Sequence, residues 1–308
     1  HPRSTAMASR VTRRTLWSPP PVERAVAALL SLPTQRYELG THFRLVTRES
    51  GSQRADLPIW TSSGGAVRFD PEGWGPVKKT EVPNVPGAFV LSNVLTVVEC
   101  EQLRELSEAM GYTPDAPVSL GRNIRRNENC VWIADDTLWR PIWCARLPAG
   151  RSSDRRIFPT CHRDRVKAHM PAGPAGWGPA AGLNQRWRLY RYGVDDIFKM
   201  HTDGAWPGSA VDSTGRLVRD IYGDRFSQLT FLLYLDADYE GGETTFFQQT
   251  AAGAGELHSV SVPQGSVLCF FHGDHELSPL HEGSLVTRGV KHIVRSDVLY
   301  MLPGKWEL

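Results

Sequence analysis

The chain reads as a mainly β protein with flanking helices, its β part an antiparallel sandwich or barrel. Two observations predict this. From residue 186 onward, short apolar segments follow one another with turns between them and no helix pattern intervening: RWRLYRYG, SQLTFLLYLD, EGGETTFF, HSVSV, GSVLCFFH and VKHIVRSDVLYML. The helix signals are confined to the preceding half, so the helices are expected to cover one outer face of a single β core. At 308 residues, with 41% hydrophobic and 22% charged residues, the chain has the composition of a globular protein and can bury a large core.

Taken in order, residues 1–80 form an N-terminal arm or extension packed on the core. VERAVAALLSL at 22–32 suggests a short helix, SSGG and DPEGWGP suggest loop and turn, and Trp60 and Trp74 are candidates to pack this part onto the body. The main domain is expected over 81–308, with supporting helices at about 96–147 and the β core at about 186–302. AFVLSNVL at 88–95 reads as a strand running into a helix. Thr96 followed by Glu99 has the spacing of a capping box, Leu103, Leu106 and Met110 continue at helical period, and Gly111 ends the run. DDTLWRPIWCARLP at 135–148 suggests a second amphipathic helix. The stretch 151–182 is charged and then rich in Gly and Pro; it reads equally as a solvated loop or as a substrate-facing lid. Its Arg155, Arg156, Arg163, Arg165 and Lys167 would attract an acidic substrate or simply keep the surface soluble. Residues 207–225 are a second candidate for the substrate entrance.

Several classes are set aside by composition. The net charge is +2, which is no nucleic-acid footprint, and the eight arginines of the first fifty residues lack interleaved aromatics. No run approaches the roughly 18 apolar residues that span a membrane. The start, HPRSTAMAS, has no secretory h-region, and the residues before Met7 read as an expression scar. Cys100, Cys130, Cys144, Cys161 and Cys269 are odd in number and irregular in spacing, which fits neither a disulfide framework nor a zinc pattern. A cytoplasmic location, with neither a nucleic-acid nor a membrane partner, is therefore expected.

The chemistry-bearing residues gather in the β half. In FKMHTDGAW, His201 and Asp203 are two residues apart, so in extended backbone their side chains share a face about 6.5 Å apart along the strand. Two imidazoles and one carboxylate on one side of a divalent first-row metal make a facial triad with the opposite positions open. A third ligand must come from elsewhere: His281, in SPLHEGSLVTRGVK, is the candidate, while His272, His275 and His292 compete for the place. Lys291 lies just inside the last strong strand, where period two sets Lys291, Ile293 and Arg295 on one face and His292, Val294 and Ser296 on the other. A cation pointing into a barrel calls for an anion. A dicarboxylate chelating the metal at one end and pairing with Lys291 at the other would supply it. Arg295 is the rival cation, suited by its place to a substrate or structural pair. Tyr192 and Tyr234 are placed to give hydroxyls to the same carboxylate, Tyr234 being otherwise a core aromatic, and Trp206 is a candidate to face substrate.

Taken together, RLYRYGVDDIFKMHTDG, LTFLLYLDADYEGGETTFF, PQGSVLCFFH and SPLHEGSLVTRGVKHIVRSDVLY resemble the iron(II)/2-oxoglutarate-dependent dioxygenases, specifically their prolyl 4-hydroxylase-like branch. The resemblance covers roughly 186–302, and 88–150 more weakly. It implies a double-stranded β-helix (a jelly roll, cupin-like), with Fe(II) held by His201, Asp203 and His281. It also implies 2-oxoglutarate as cosubstrate anchored by Lys291 with Tyr192 and Tyr234 near it, O2 as oxidant and ascorbate as a possible reductant. The implied activity is hydroxylation of an unactivated C–H bond, on proline in a peptide or on a free amino acid or small metabolite, with release of succinate and CO2. Related halogenases carry a small residue at the carboxylate position, so Asp203 implies hydroxylation over halogenation. Desaturation or ring closure, and a non-catalytic cupin-like metal- or ligand-binding module, are the alternatives.

Overall fold

The computed structural model describes residues 12–17, 36–70, 75–114, 116, 121–143, 165–249 and 255–306. The expected helix at 22–32, Trp74, all of 144–164 and two of the cysteines, Cys144 and Cys161, lie outside the described residues.

Eight strands form the core: β1 (Arg186–Tyr192), β2 (Ile197–His201), β3 (Arg225–Tyr234), β4 (Thr244–Gln249), β5 (Gly255–Val260), β6 (Val267–Phe271), β7 (Leu280–Gly283) and β8 (Lys291–Met301). They divide between two facing sheets, with the order β1-β8-β3-β6 in one and β5-β4-β7-β2 in the other. All pairings within these two sets are antiparallel. Consecutive strands thus pass repeatedly from one sheet to the other, which is the winding of a double-stranded β-helix, the jelly roll expected from the sequence.

Period-two alternation sorts the side chains. On β3, Leu232 and Tyr234 join Tyr190, Tyr192, Phe246, Leu268, Phe270 and Ile293 in the cluster between the sheets. Leu229, Phe231 and Leu233 point to the opposite face, where they pack with Leu189, Cys269 and Val294. The first sheet is therefore apolar on both faces, and its outer face needs a cover. Two helices supply it. Helix α1 (Val97–Met110) contributes Leu103, Leu106 and Met110, and helix α2 (Asp136–Trp143) contributes Leu138, Trp139 and Ile142. The capping box at α1 is formed: the Glu99 amide donates to Thr96 Oγ1 at 3.3 Å and the Thr96 amide to Glu99 Oε2 at 2.8 Å. Gly111 ends the helix at φ 90°, a conformation that needs glycine.

The first sheet extends well past the barrel. Glu128–Ile133 pairs with β1, Leu57–Ser62 lies parallel to Glu128–Ile133, and Phe43–Glu49 completes that edge. Phe43–Glu49 and Leu57–Ser62 are thus strands of the sheet itself, with Trp60 edge-on to Phe43 at 5.5 Å. The segment 207–225 packs against this extension. Its short hairpin, Ala210–Val211 with Leu217–Val218, lays Val211 and Leu217 on Ile59, Val131 and Ile133 of the extension. Arg165 is not part of a solvated basic loop either: it is buried, with Nη2 3.7 Å from Glu99 Oε2. The same Glu99 that caps α1 gives this guanidinium its counter-charge, and that contact draws it inside.

Because Thr96 satisfies an otherwise orphaned amide at the start of a helix that seals the sheet, Thr96→Ala is expected to lower stability by about 1 kcal/mol. Urea denaturation followed by circular dichroism measures it, with an unchanged midpoint the contrary result.

Candidate metal centre

Cross-strand register assembles the site. His201, the last residue of β2, is the direct antiparallel partner of His281 on β7, so both rings project from one face with centroids 4.3 Å apart. The chain leaves β2 after His201 and is pinned at Asp203, whose carbonyl accepts from the Gly273 amide at 2.9 Å. That turn brings Asp203 Oδ1 to 3.7 Å from His201 Nε2 and Oδ2 to 3.8 Å from His281 Nε2. One ligand atom from each of the three residues lies within 4.8 Å of the others, an arrangement able to hold a metal ion.

The donor set fits a divalent transition metal. His201 Nδ1 lies 2.8 Å from the Lys199 carbonyl and His281 Nδ1 3.1 Å from that of Pro279. A carbonyl only accepts, so each Nδ1 carries the proton and each Nε2 presents its lone pair to the site. Phe198 stacks on the His201 ring, and Phe270 meets the His281 ring edge-on at 4.6 Å. Burial pushes the His281 pKa down to about 4 against the opposing pull of Asp203, which keeps the imidazole neutral as a ligand must be. Side-chain exposure is 14% at His201 and 10% at Asp203 but 5% at His281, so solvent reaches the site from the His201–Asp203 side.

Asp203 is held ionised. Burial by itself would raise its pKa, but the Arg295 guanidinium beside it holds it well below the usual carboxylate range. Arg295 Nε is 3.4 Å from Asp203 Oδ2 and its Nη2 is 3.2 Å from Asp297 Oδ1. Arg188, opposite Arg295 on β1, adds its Nη1 at 3.8 Å from Asp297 Oδ2. Arg295 therefore makes ion pairs within the barrel wall. Trp206 stands over Arg188, its ring centroid 5.4 Å from the guanidinium carbon, and its buried indole N–H has no hydrogen-bond partner among the described residues.

Lys291 lies in the same barrel interior, buried and on the inner face of β8. Its Nζ donates to the Gly242 carbonyl and is ringed by Tyr234, Tyr192 and Tyr239, with centroids at 4.9, 5.5 and 5.9 Å. Among the described residues no carboxylate lies within ion-pair distance of it. Burial lowers its pKa to about 8, with Glu243 opposing the shift. Gly242 is required here, because at φ 67° a Cβ would stand 3.2 Å from Lys291 Cδ. The Tyr234 hydroxyl is 2.6 Å from Thr244 Oγ1.

The competing histidines are accounted for. His275 stacks on Phe271, and His292 lies on the outer face between Asp236 and Glu108, each carboxylate 2.8 Å away. His272 is fully buried beside the site and bonded to Thr230 and Ser227. Sequence reasoning passed over Thr230, Asp297 and Tyr239. Period two on β3 and β8 sets Thr230 in phase with Tyr234 and Asp297 in phase with Lys291, a signal that could have found the first two. Two surface cavities, of about 450 and 570 Å³, lie beside α2 and α1 and include none of the triad.

No family model matches the chain and no curated protein is similar to it. Among solved structures it is similar to a viral collagen prolyl hydroxylase from Paramecium Bursaria Chlorella virus-1 in complex with 2OG, with TM-score 0.36, 14% identity, and 75% of this chain and 98% of that chain covered. It is also similar to a Pseudomonas putida prolyl-4-hydroxylase, with TM-score 0.39, 16% identity, and 69% and 91% covered. A third is a Trichoplax adhaerens prolyl hydroxylase in complex with a hypoxia inducible factor peptide fragment, with TM-score 0.40, 14% identity, and 72% and 86% covered. At this distance the fold assignment rests on the strand order, not on these likenesses.

Removing Arg295 would leave buried Asp203 without its cation and Asp297 with only the longer contact to Arg188. Arg295→Met is expected to lose about 3–5 kcal/mol in urea denaturation of the chelator-treated protein at pH 7; stability equal to wild type would refute the ion pairing.

Proposed function

We propose that the chain is an Fe(II)- and 2-oxoglutarate-dependent dioxygenase that hydroxylates an unactivated C–H bond, of the prolyl 4-hydroxylase-like kind. The observation that carries this reading is the pairing, inside one barrel, of a two-histidine, one-carboxylate site with a buried lysine that has no carboxylate within ion-pair distance among the described residues. His201, Asp203 and His281 would hold Fe(II), leaving the side away from the protein ligands for cosubstrate and O2. Bound Fe(II), with 2-oxoglutarate and O2, supplies the oxidising chemistry, and succinate and CO2 leave as products.

The chain's own residues bind and position. The Lys291 ammonium would pair with the distal carboxylate of 2-oxoglutarate, and Tyr192 and Tyr234 wall that end of the barrel against water. An unpaired buried ammonium is unfavourable, so an anionic ligand is what this environment is built to receive. The complete ligand set together with this cation favours an enzyme over a cupin-like module without turnover. Asp203, kept anionic by Arg295, retains the position that a halide would need, which favours hydroxylation over halogenation. Proline in a peptide, a free amino acid and a small metabolite are the substrate classes, with desaturation or ring closure as variants of the same chemistry.

Incubation with Fe(II), ascorbate, O2 and labelled 2-oxoglutarate is expected to give iron-dependent succinate, abolished by His201→Ala and shifted to higher cosubstrate demand by Lys291→Ala. A mass-spectrometric screen of proline peptides, amino acids and metabolites for a gain of one oxygen identifies the substrate. Wild-type protein that binds neither iron nor 2-oxoglutarate would end the proposal.

The Lys291 pKa adds a pH signature. Its folded value lies below its ordinary one, so between about pH 8 and pH 10.5 the unfolded chain binds more protons than the native one. Over that window stability contributed by Lys291 rises with pH, while the charged form needed by a dicarboxylate is lost. The apparent dissociation constant for 2-oxoglutarate is expected to be about tenfold larger at pH 9 than at pH 7. Calorimetric titration at the two pH values measures this, and equal affinities would show that Lys291 is not the anchor.

A further inference from the structure

A chain of hydrogen bonds leads from the arm that follows the metal motif back to the metal-site carboxylate. Thr230 Oγ1 donates to Asp203 Oδ2 at 2.8 Å and lies 2.8 Å from His272 Nδ1. His272 Nε2 is 2.9 Å from Ser227 Oγ, which accepts from the Trp206 amide at 2.8 Å. A β-bulge makes this possible. Ser227 and Leu229 face consecutive residues of β8, Leu299 and Val298, so one extra residue is inserted in β3. The bulge turns Ser227 toward the side occupied by Thr230, and one imidazole bonds both.

The directions of these bonds are determined. Asp203 is ionised and can only accept, so the one Thr230 hydroxyl proton goes to it. Toward His272 the same oxygen is then an acceptor, and His272 Nδ1 must carry a proton. Burial lowers the His272 pKa, with Asp297 opposing, which favours the neutral ring. Nε2 then accepts from the Ser227 hydroxyl, and Ser227 in turn accepts from the backbone of Trp206.

We propose that Thr230, His272 and Ser227 are positioning residues that form a directed relay from the Trp206 backbone to Oδ2 of Asp203, holding the carboxylate in its metal-binding orientation. The inference rests on the metal-site reading above. It deepens that reading by linking the candidate substrate-facing arm to one ligand. Thr230 and Arg295 meet the same oxygen from two sides, so Oδ2 is restrained while Oδ1 stays toward His201.

The test is a titration of metal-free protein with Mn(II), read as free ion by electron paramagnetic resonance. Wild type is expected to bind one Mn(II), and His201→Ala none. If wild type binds none, or His201→Ala binds as wild type does, the metal-site reading itself fails. Given that site, Thr230→Val should weaken binding by about 10- to 100-fold, and Thr230→Ser, which keeps the hydroxyl, should retain it within about threefold. His272→Asn, which can present an amide N–H where Nδ1–H stood, should bind more tightly than His272→Gln, which cannot. Wild-type affinity in Thr230→Val, or equal losses in the valine and serine variants, would overturn the relay with the site intact. A second readout needs neither metal nor turnover. In ¹⁵N-histidine spectra of the metal-free protein at pH 7, the signal absent from His272→Asn should be that of a neutral ring protonated at Nδ1. An imidazolium or an Nε2–H ring would overturn the assigned direction.

Discussion

The ion pair between Asp203 and Arg295 is the interaction on which the rest of the site depends. A carboxylate facing two imidazoles inside a barrel would be driven toward its neutral form by burial and would then present a proton where a ligand needs a lone pair. Arg295, 3.4 Å away, holds it charged, and is itself compensated by Asp297 at 3.2 Å. Arg188 extends the alternation of sign by one more group. These charges are tolerated in the interior because each meets its opposite. Lys291 departs from that pattern: tyrosines ring it, and among the described residues no carboxylate lies within ion-pair distance.

Both ends of this arrangement hang on β8. Its alternation sets Lys291, Arg295 and Asp297 on one face, and the sheet order places it between β1, which brings Tyr192 and Arg188, and β3, which brings Tyr234 and Thr230. A strand so charged on one face remains central because its other face is sealed. Val294 and Val298 pack in the cluster that α1 and α2 complete. The helices thus contribute to the site at a distance, by making the wall that carries it impermeable to water. Facing it, the second sheet contributes the histidines through a single register, His201 opposite His281.

Much of this is legible in the sequence. His201 with Asp203, Lys291 in phase with Arg295, and His292 on the opposite face all follow from period two, a local property of extended backbone. The capping box at Thr96 and Glu99 was equally local. What escaped were features made by contacts between distant residues. Arg165 stood in a basic stretch and read as surface, yet it is buried on Glu99, 66 positions earlier by the numbering. Phe43–Glu49 and Leu57–Ser62 carry weak alternation, and they are strands because Glu128–Ile133 offers an edge to pair with. His272 was one of several rivals for the third ligand, and a one-residue bulge in a neighbouring strand gave it Ser227 and Thr230 as partners instead.

By itself, then, the sequence determined the types of group present and the face of each strand on which they stand, because alternation is set within a few residues of backbone. Only the tertiary structure decided which histidine completes the site, which cation answers Asp203 and which way the protons run through Thr230 and His272. Those outcomes depend on register between strands separated by tens of residues, and a slip of one residue would turn every side chain to the other face.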